Sequence, residues 1–170
     1  MALREIRLVP DPMLRQKART VTKITPKIIE LLDDMKDTLL EKDGIGLAAP
    51  QIGVLKRIFI VLVDDRYIEM INPEIIETQG LVIGMEGCLS VPDELVYVRR
   101  PHYVKVKGLN RQGEEIILQE TGIVAIAICH EMDHLIGVLF TDRKVNPTPN
   151  EHKMLENAKD NLPVHAEVQT

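Results

Sequence analysis

The apolar run Ile123-Val124-Ala125-Ile126-Ala127-Ile128-Cys129, followed at once by His130-Glu131-Met132-Asp133-His134, constrains this chain more than any other feature. A helix over Ile123 to Leu135 has no polar face until its last turn, so it must be buried. Gly137 predicts its end. Buried polar groups need partners, and a metal ion supplies one for both histidines. Residues four apart on an α-helix lie about 40° apart and one turn up, so both imidazoles reach one ion. Glu131 stands about 100° from His130, beside the ion rather than under it. From there it can take a proton from a water without displacing a ligand, which is the mechanical content of H-E-x-x-H. Chance alone gives that pattern roughly once per hundred chains of this composition. The apolar run that precedes it argues against a surface pair of histidines.

Catalytic sites of this kind use three protein ligands and leave a position for water. Cys88, Cys129, His102 and the remaining carboxylates are the candidates for the third. Cys129 points about 140° away from His134 around the helix, and reads better as a small buried residue. Cys88 lies in Gly84-Met85-Glu86-Gly87-Cys88-Leu89-Ser90, where glycines let the backbone approach a ligand closely. A third segment, Gly44-Ile45-Gly46-Leu47-Ala48-Ala49-Pro50-Gln51, reads as a tight loop of small residues. Its functional reading is a wall narrow enough for backbone to touch a substrate.

The chain has 170 residues and 45% hydrophobic content, which suits one domain with a sizeable core. Aromatics are only 3%, so Ile, Leu, Val and Met must fill that core. A net charge of -5 without a basic patch in the sequence predicts no direct nucleic-acid readout. No stretch approaches the ~20 apolar residues that span a membrane. The start resembles neither a signal peptide nor a presequence, so the expected location is cytoplasmic.

Thr25-Pro26 predicts the start of a helix whose apolar stripe is Ile28, Leu31, Leu32, Met35, Leu39 and Leu40, with Gly44 as its stop. Strands are predicted over 57–63, 67–71, 74–79, 103–109 and 114–119, the last two as a hairpin. A final helix is predicted from about Pro149 to Ala158, with a frayed tail after about 161. The expected fold is α+β: mostly antiparallel sheets around a buried central helix that carries the H-E-x-x-H motif, plus an N-terminal and a C-terminal helix, in a single domain over 1–170.

Together the three segments resemble the peptide deformylase family, which carries G-x-G-x-A-A-x-Q, E-G-C-x-S and H-E-x-x-H in this order. Here they stand as Gly44 to Gln51, Glu86 to Ser90 and His130 to His134. The resemblance runs to about Val145. It implies a hydrolase that removes the formyl group from the N-terminal formyl-methionine of newly made chains. It also implies Cys88, His130 and His134 as ligands of one divalent metal, ferrous iron in the cell, with zinc, nickel or cobalt as substitutes. Glu131 becomes the general acid/base, with the Gln51 side chain and the Leu89 backbone N–H facing the formyl oxygen. Ile45, Gly46 and Gly87 are expected along the peptide, and Ile126 with Ile45 around the methionine side chain.

Three features depart from that family. Cys129 stands where Gln is frequent, and Leu95 where an Arg often meets the substrate, with Arg99 and Arg100 as candidate replacements. The resemblance also implies a transient ribosome contact, yet Lys153 and Lys159 are outnumbered by Glu151, Glu156, Asp160 and Glu167, which does not support a basic tether. Glu86 and Asp133 are candidate partners of the metal-bound histidines, and Arg100 could pair with either. Two other readings stand beside the hydrolase of formyl peptides. One is a different metallohydrolase, such as a peptidase drawing a downstream ligand from His152 or His165. The other is a non-catalytic binding module stabilised by metal.

Overall fold

The computed structural model describes residues 2–159; the tail expected to fray lies outside them. In chain order the elements are α1 (Pro26–Glu41), β1 (Gly46–Ala48), β2 (Ile58–Val63), β3 (Arg66–Gln79), β4 (Val82–Cys88), β5 (Val91–Arg100), β6 (Tyr103–Leu109), β7 (Glu115–Thr121), α2 (Gly122–His134) and α3 (Pro149–Lys159). One sheet runs in the order β1-β2-β3-β6-β7, and β4-β5 form a second sheet of two strands. Every pairing between these strands is antiparallel. The α+β expectation is met, with α2 as the buried helix.

The main sheet is covered on two faces because β2 is apolar on both. Ile58 and Ile60 pack with Leu31, Leu32, Met35 and Leu39 of α1. Phe59 and Val61 point the other way, onto Ala125, Ile128 and Cys129 of α2, as period-two alternation requires. Each side chain buried this fully contributes about 1.5–3 kcal/mol. Phe59 and Phe140 are the only phenylalanines, so aliphatic residues and Met do fill both cores.

Four expectations about local structure are corrected. Leu40 is 54% exposed and lies off the packed stripe of α1. That helix is stopped by Asp43, at φ +53, rather than by Gly44, because aspartate tolerates the left-handed region. The supposed loop at 44–51 contains β1, followed by a 3-10 turn over Ala49–Ile52; Leu47 pairs with Ile60 and buries its small neighbours against the sheet. The two short strands at 67–71 and 74–79 are one strand, β3, with a bulge between Ile71 and Glu74. Its first half pairs with β2 and its second half with β6, so the bend transfers the strand between partners without ending it. Asn72 holds the bend with φ +51 while its amide brackets the backbone of Val21, donating to the carbonyl and accepting from the N–H, both at 2.8 Å.

The β4-β5 hairpin lies outside the predicted strands. Gly84, Gly87 and Pro92 mask its pattern, although Val96 and Val98 are buried on one face. It packs Cys88, Val91, Val96 and Val98 with Leu14, Leu139 and Phe140 into a small third core. That core sets Cys88 against the end of α2.

Candidate metal centre

Helix α2 brings His130, Glu131 and His134 into the interior together, all buried. Its end is sharp: Gly137 takes φ +73, and a Cβ there would lie 2.3 Å from the Arg15 carbonyl oxygen. Cys88, the last residue of β4, meets this helix end, with Sγ 3.3 Å from His134 Nε2. The ligand atoms of Cys88, His130 and His134 all lie within 4.8 Å of one another, and no other such group occurs among the described residues. A tetrahedral ion with thiolate and imidazole ligands separates sulfur and nitrogen by about 3.5 Å, from its bond lengths of roughly 2.3 and 2.0 Å. The trio is therefore sized for one ion.

Two further observations fit a cation. His130 Nδ1 is held 2.8 Å from Glu86 Oε1, which leaves Nε2 for the trio, the usual arrangement of a metal-binding histidine. Burial opposes charge on His130, yet hydrogen bonds to Cys88 and Glu86 outweigh it and lift its pKa to about 10. Burial, together with charge on His130 and Arg100, pushes His134 well below its ordinary value.

Glu131 is fixed by a close approach. A Cβ on Gly46 would stand 2.3 Å from Glu131 Oε1, so only glycine leaves room for this carboxylate against β1. Glu131 Oε2 has no hydrogen-bond partner among the described residues. Burial pushes the carboxyl up to about 7, against the opposing pull of His130 and Arg100. A carboxyl with a pKa near neutrality, aimed into a cleft, suits proton transfer in both directions. Sequence reasoning assigned Gly46 to the substrate backbone; the structure also gives it this space-making role.

Gln51 has a defined orientation. Its Oε1 accepts from Ala48 N–H at 2.8 Å, so the NH2 must face the other way. It donates to Ser90 Oγ at 3.2 Å and approaches Cys88 Sγ at 3.5 Å. Ser90, fully buried, was not among the expected site residues; its place at the end of the E-G-C-x-S motif, together with a buried amide in need of partners, was the signal that could have found it. The N-terminal segment braces both neighbours, through Arg7 N–H to the Gln51 carbonyl (2.7 Å) and Val9 N–H to the Ser90 carbonyl (2.9 Å).

One cleft opens over this centre. Ile45, Gly46, Gly87, Leu89 and Ile126 line it along with Cys88, His130, Glu131 and Gln51. His134 is the one expected site residue not on its wall; it closes the trio from behind. Ile123, about one turn before Ile126, and Ala127, the residue after it, add apolar wall. Glu86 carries the charged support below: Arg100 holds it through Nε and a terminal nitrogen at 2.9 and 3.0 Å, and reaches Asp133 at 2.6 Å. Arg100 pairs with both expected carboxylates rather than one.

The other candidates lie elsewhere. Arg100 is 4% exposed and Arg99 is bound to Glu151, so neither replaces the missing arginine at exposed Leu95. Cys129 packs in the α2 core, where burial raises its thiol pKa to about 11. His102 is exposed, and His152 stacks edge-on to Tyr97 away from the trio. His165 lies outside the described residues.

A buried Cys-His-His trio beside a near-neutral glutamate, open to an apolar cleft, defines the class: a metal-dependent hydrolase. Residues 3–150 match the polypeptide deformylase family. A peptide deformylase of Alkaliphilus metalliredigens (strain QYMF) is 53% identical over 143 residues, covering 84% of this chain and 97% of that protein. The crystal structure of peptide deformylase from Thermotoga maritima superposes with TM-score 0.84 at 38% identity, covering 86% of this chain and all of that one. A Met-Ala-Ser-bound crystal structure of class I type b peptide deformylase from Acinetobacter baumannii gives TM-score 0.80 at 36% identity, over 84% and 98% of the two chains. The chain belongs to the peptide deformylase family. It is a hydrolase that removes the N-terminal formyl group from nascent peptides.

Proposed function

We propose that one catalytic domain over residues 1–170 performs this reaction on formyl-methionyl peptides, with Cys88, His130 and His134 holding a single divalent ion and Glu131 moving the protons. The observation that carries the reading is Glu131: buried, unpaired at Oε2, and wedged between the trio and Gly46. A divalent ion in this trio supplies Lewis-acid activation of water and of the formyl carbonyl.

The remaining tasks fall to the chain. Glu131 takes a proton from the attacking water and returns it to the leaving α-amine, so the products are formate and a free N-terminus. The Gln51 NH2, pre-aimed by Ala48 and Ser90, donates to the developing oxyanion beside Cys88, with the Leu89 N–H as second donor. One such donor is typically worth about 3–4 kcal/mol. Ile45, Gly46 and Gly87 run along the peptide backbone, and Ile126 receives the methionine side chain. A relative that binds Met-Ala-Ser, a peptide with a free N-terminal methionine, supports that choice of substrate.

The metal is ferrous iron in this reading, with zinc, nickel or cobalt as substitutes, and the setting is the cytoplasm, at newly made chains and in transient contact with the ribosome. No helix among the described residues is long and apolar enough to cross a membrane. The peptidase and binding-module readings lose ground because no downstream histidine and no fourth ligand joins the trio among the described residues. The test is formate release from formyl-Met-Ala-Ser by protein loaded anaerobically with ferrous iron. Turnover that disappears with a chelator and returns with the ion supports the assignment; a metal-loaded protein without turnover overturns it.

A further inference from the structure

The short 3-10 turn at Phe140–Arg143 touches His130 by two routes. Directly, the Phe140 ring lies against the His130 imidazole, centroids 5.8 Å apart and planes inclined by 31°. Indirectly, a chain of charged contacts runs from the surface to the same ring. Arg143 grips Asp133 with two prongs, Nε to Oδ2 at 2.6 Å and a terminal nitrogen to Oδ1 at 2.7 Å. Asp133 Oδ2 also accepts from Arg100 at 2.6 Å. Arg100 clamps both oxygens of Glu86, and Glu86 holds His130 Nδ1 at 2.8 Å.

Charge and burial show what Arg143 contributes. Glu86, Arg100 and Asp133 are each buried, and Asp133 draws charged partners from both sides, Arg100 within and Arg143 at the rim. A buried charge that loses a partner is costly, and the network relaxes by moving its members. Arg143 caps Asp133 from the rim, with its side chain 45% exposed. Its two prongs also fix the rotation of Asp133, and hence the aim of the Arg100 nitrogens that hold Glu86.

We propose that Arg143 is a positioning residue of the metal centre: it touches neither substrate nor ligand, and it sets how firmly His130 presents Nε2 to the ion. This inference rests on the metal reading given under Proposed function. Arg15 provides the internal control. It pairs with Asp142 of the same turn and reaches the Gly137 carbonyl, but bonds to no member of the network among the described residues.

The experiment loads wild type, Arg143→Met, Arg143→Lys and Arg15→Met with cobalt(II), and follows metal release to a chromophoric chelator alongside the cobalt visible spectrum. Loss of a partner that orients a metal ligand costs about 10–100-fold in affinity. Arg143→Met is expected to release cobalt about tenfold faster or more, with a shifted spectrum. Arg143→Lys, which keeps the charge and loses the two-pronged grip, falls between it and wild type, and carries the test if the methionine variant does not fold. Arg15→Met matches wild type. Unchanged release in both Arg143 variants overturns the proposal, as does equal acceleration by Arg15→Met, which marks mere loosening of the turn. Wild-type protein that takes up no cobalt overturns the metal reading itself.

Discussion

Helices α1 and α2, on opposite faces of the main sheet, each carry a buried carboxylate and treat it in opposite ways. Under the N-terminal segment, Asp34 of α1 has both oxygens bonded, Oδ1 to Ala2 N–H at 2.6 Å and Oδ2 to the Arg4 guanidinium at 2.8 Å. Burial pushes its pKa up, but these partners win and hold it below the ordinary value. On α2, Glu131 is also buried, Oε2 has no partner among the described residues, and burial wins. A buried unpaired polar group costs about 1–3 kcal/mol. Paired burial on the α1 face serves the fold, whereas unpaired burial on the α2 face leaves a proton-transfer group idle until substrate arrives.

The sharpest break of that contrast is Glu131→Gln. Proton transfer by a positioned side chain contributes about 10²–10⁴-fold, so formate release falls by that order. The melting temperature stays level or rises, because a neutral amide replaces a strained acid. A variant that loses stability instead would place Glu131 with the structural carboxylates.

Gly46→Ala acts on the same carboxylate from β1. The added methyl collides with Glu131 Oε1 and displaces it. A shift of about 1 Å costs roughly 10²-fold in rate, read in kcat with KM little changed. A rise in KM alone would return Gly46 to substrate contact only.

Asp34→Ala should do the reverse. It strands the Ala2 N–H and loosens Arg4, lowering stability by about 1–3 kcal/mol in denaturant titration, while kcat per folded molecule is unchanged.

The smallest effect is a pH response far from both faces. Hydrogen bonds from Arg99 and from Thr148 N–H hold Glu151 at about 2, below its ordinary 4.5. A depressed carboxyl stabilises the fold above its unfolded pKa, and the contribution is lost as pH falls from about 4.5 through about 2. Amide protection factors in α3, corrected for the intrinsic exchange rate at each pH, should fall over that window. An α3 as protected at the acid end as at neutral pH would show that Arg99–Glu151 does not dock it.

Much of the metal centre was legible in the sequence because its key residues are local. His130, Glu131 and His134 share one helix, and 3.6 residues per turn fixes their relation. The apolar run before them dictated burial. The β6-β7 hairpin was legible for the same reason, since Asn110 to Gly113 bring adjacent alternating segments together. Cys88 was nominated by family motif and glycine flanks, not by any local rule.

Tertiary structure decided what depends on distant segments meeting. Cys88 reaches His134 across 46 residues only because the β4-β5 hairpin packs on the end of α2. The collision that makes Gly46 obligatory exists only once β1 lies beside that helix. Ser90 matters because Gln51 points at it, and Leu40 took its place from which side of α1 the sheet covers. The family motif and helix periodicity named the ligands and the base; the packing of a hairpin and an edge strand around α2 set their spacing, their hydrogen bonds and the near-neutral pKa of Glu131. The physical reason is range: periodicity and capping act over a few residues, while burial and charge pairing sum over whatever the fold brings near.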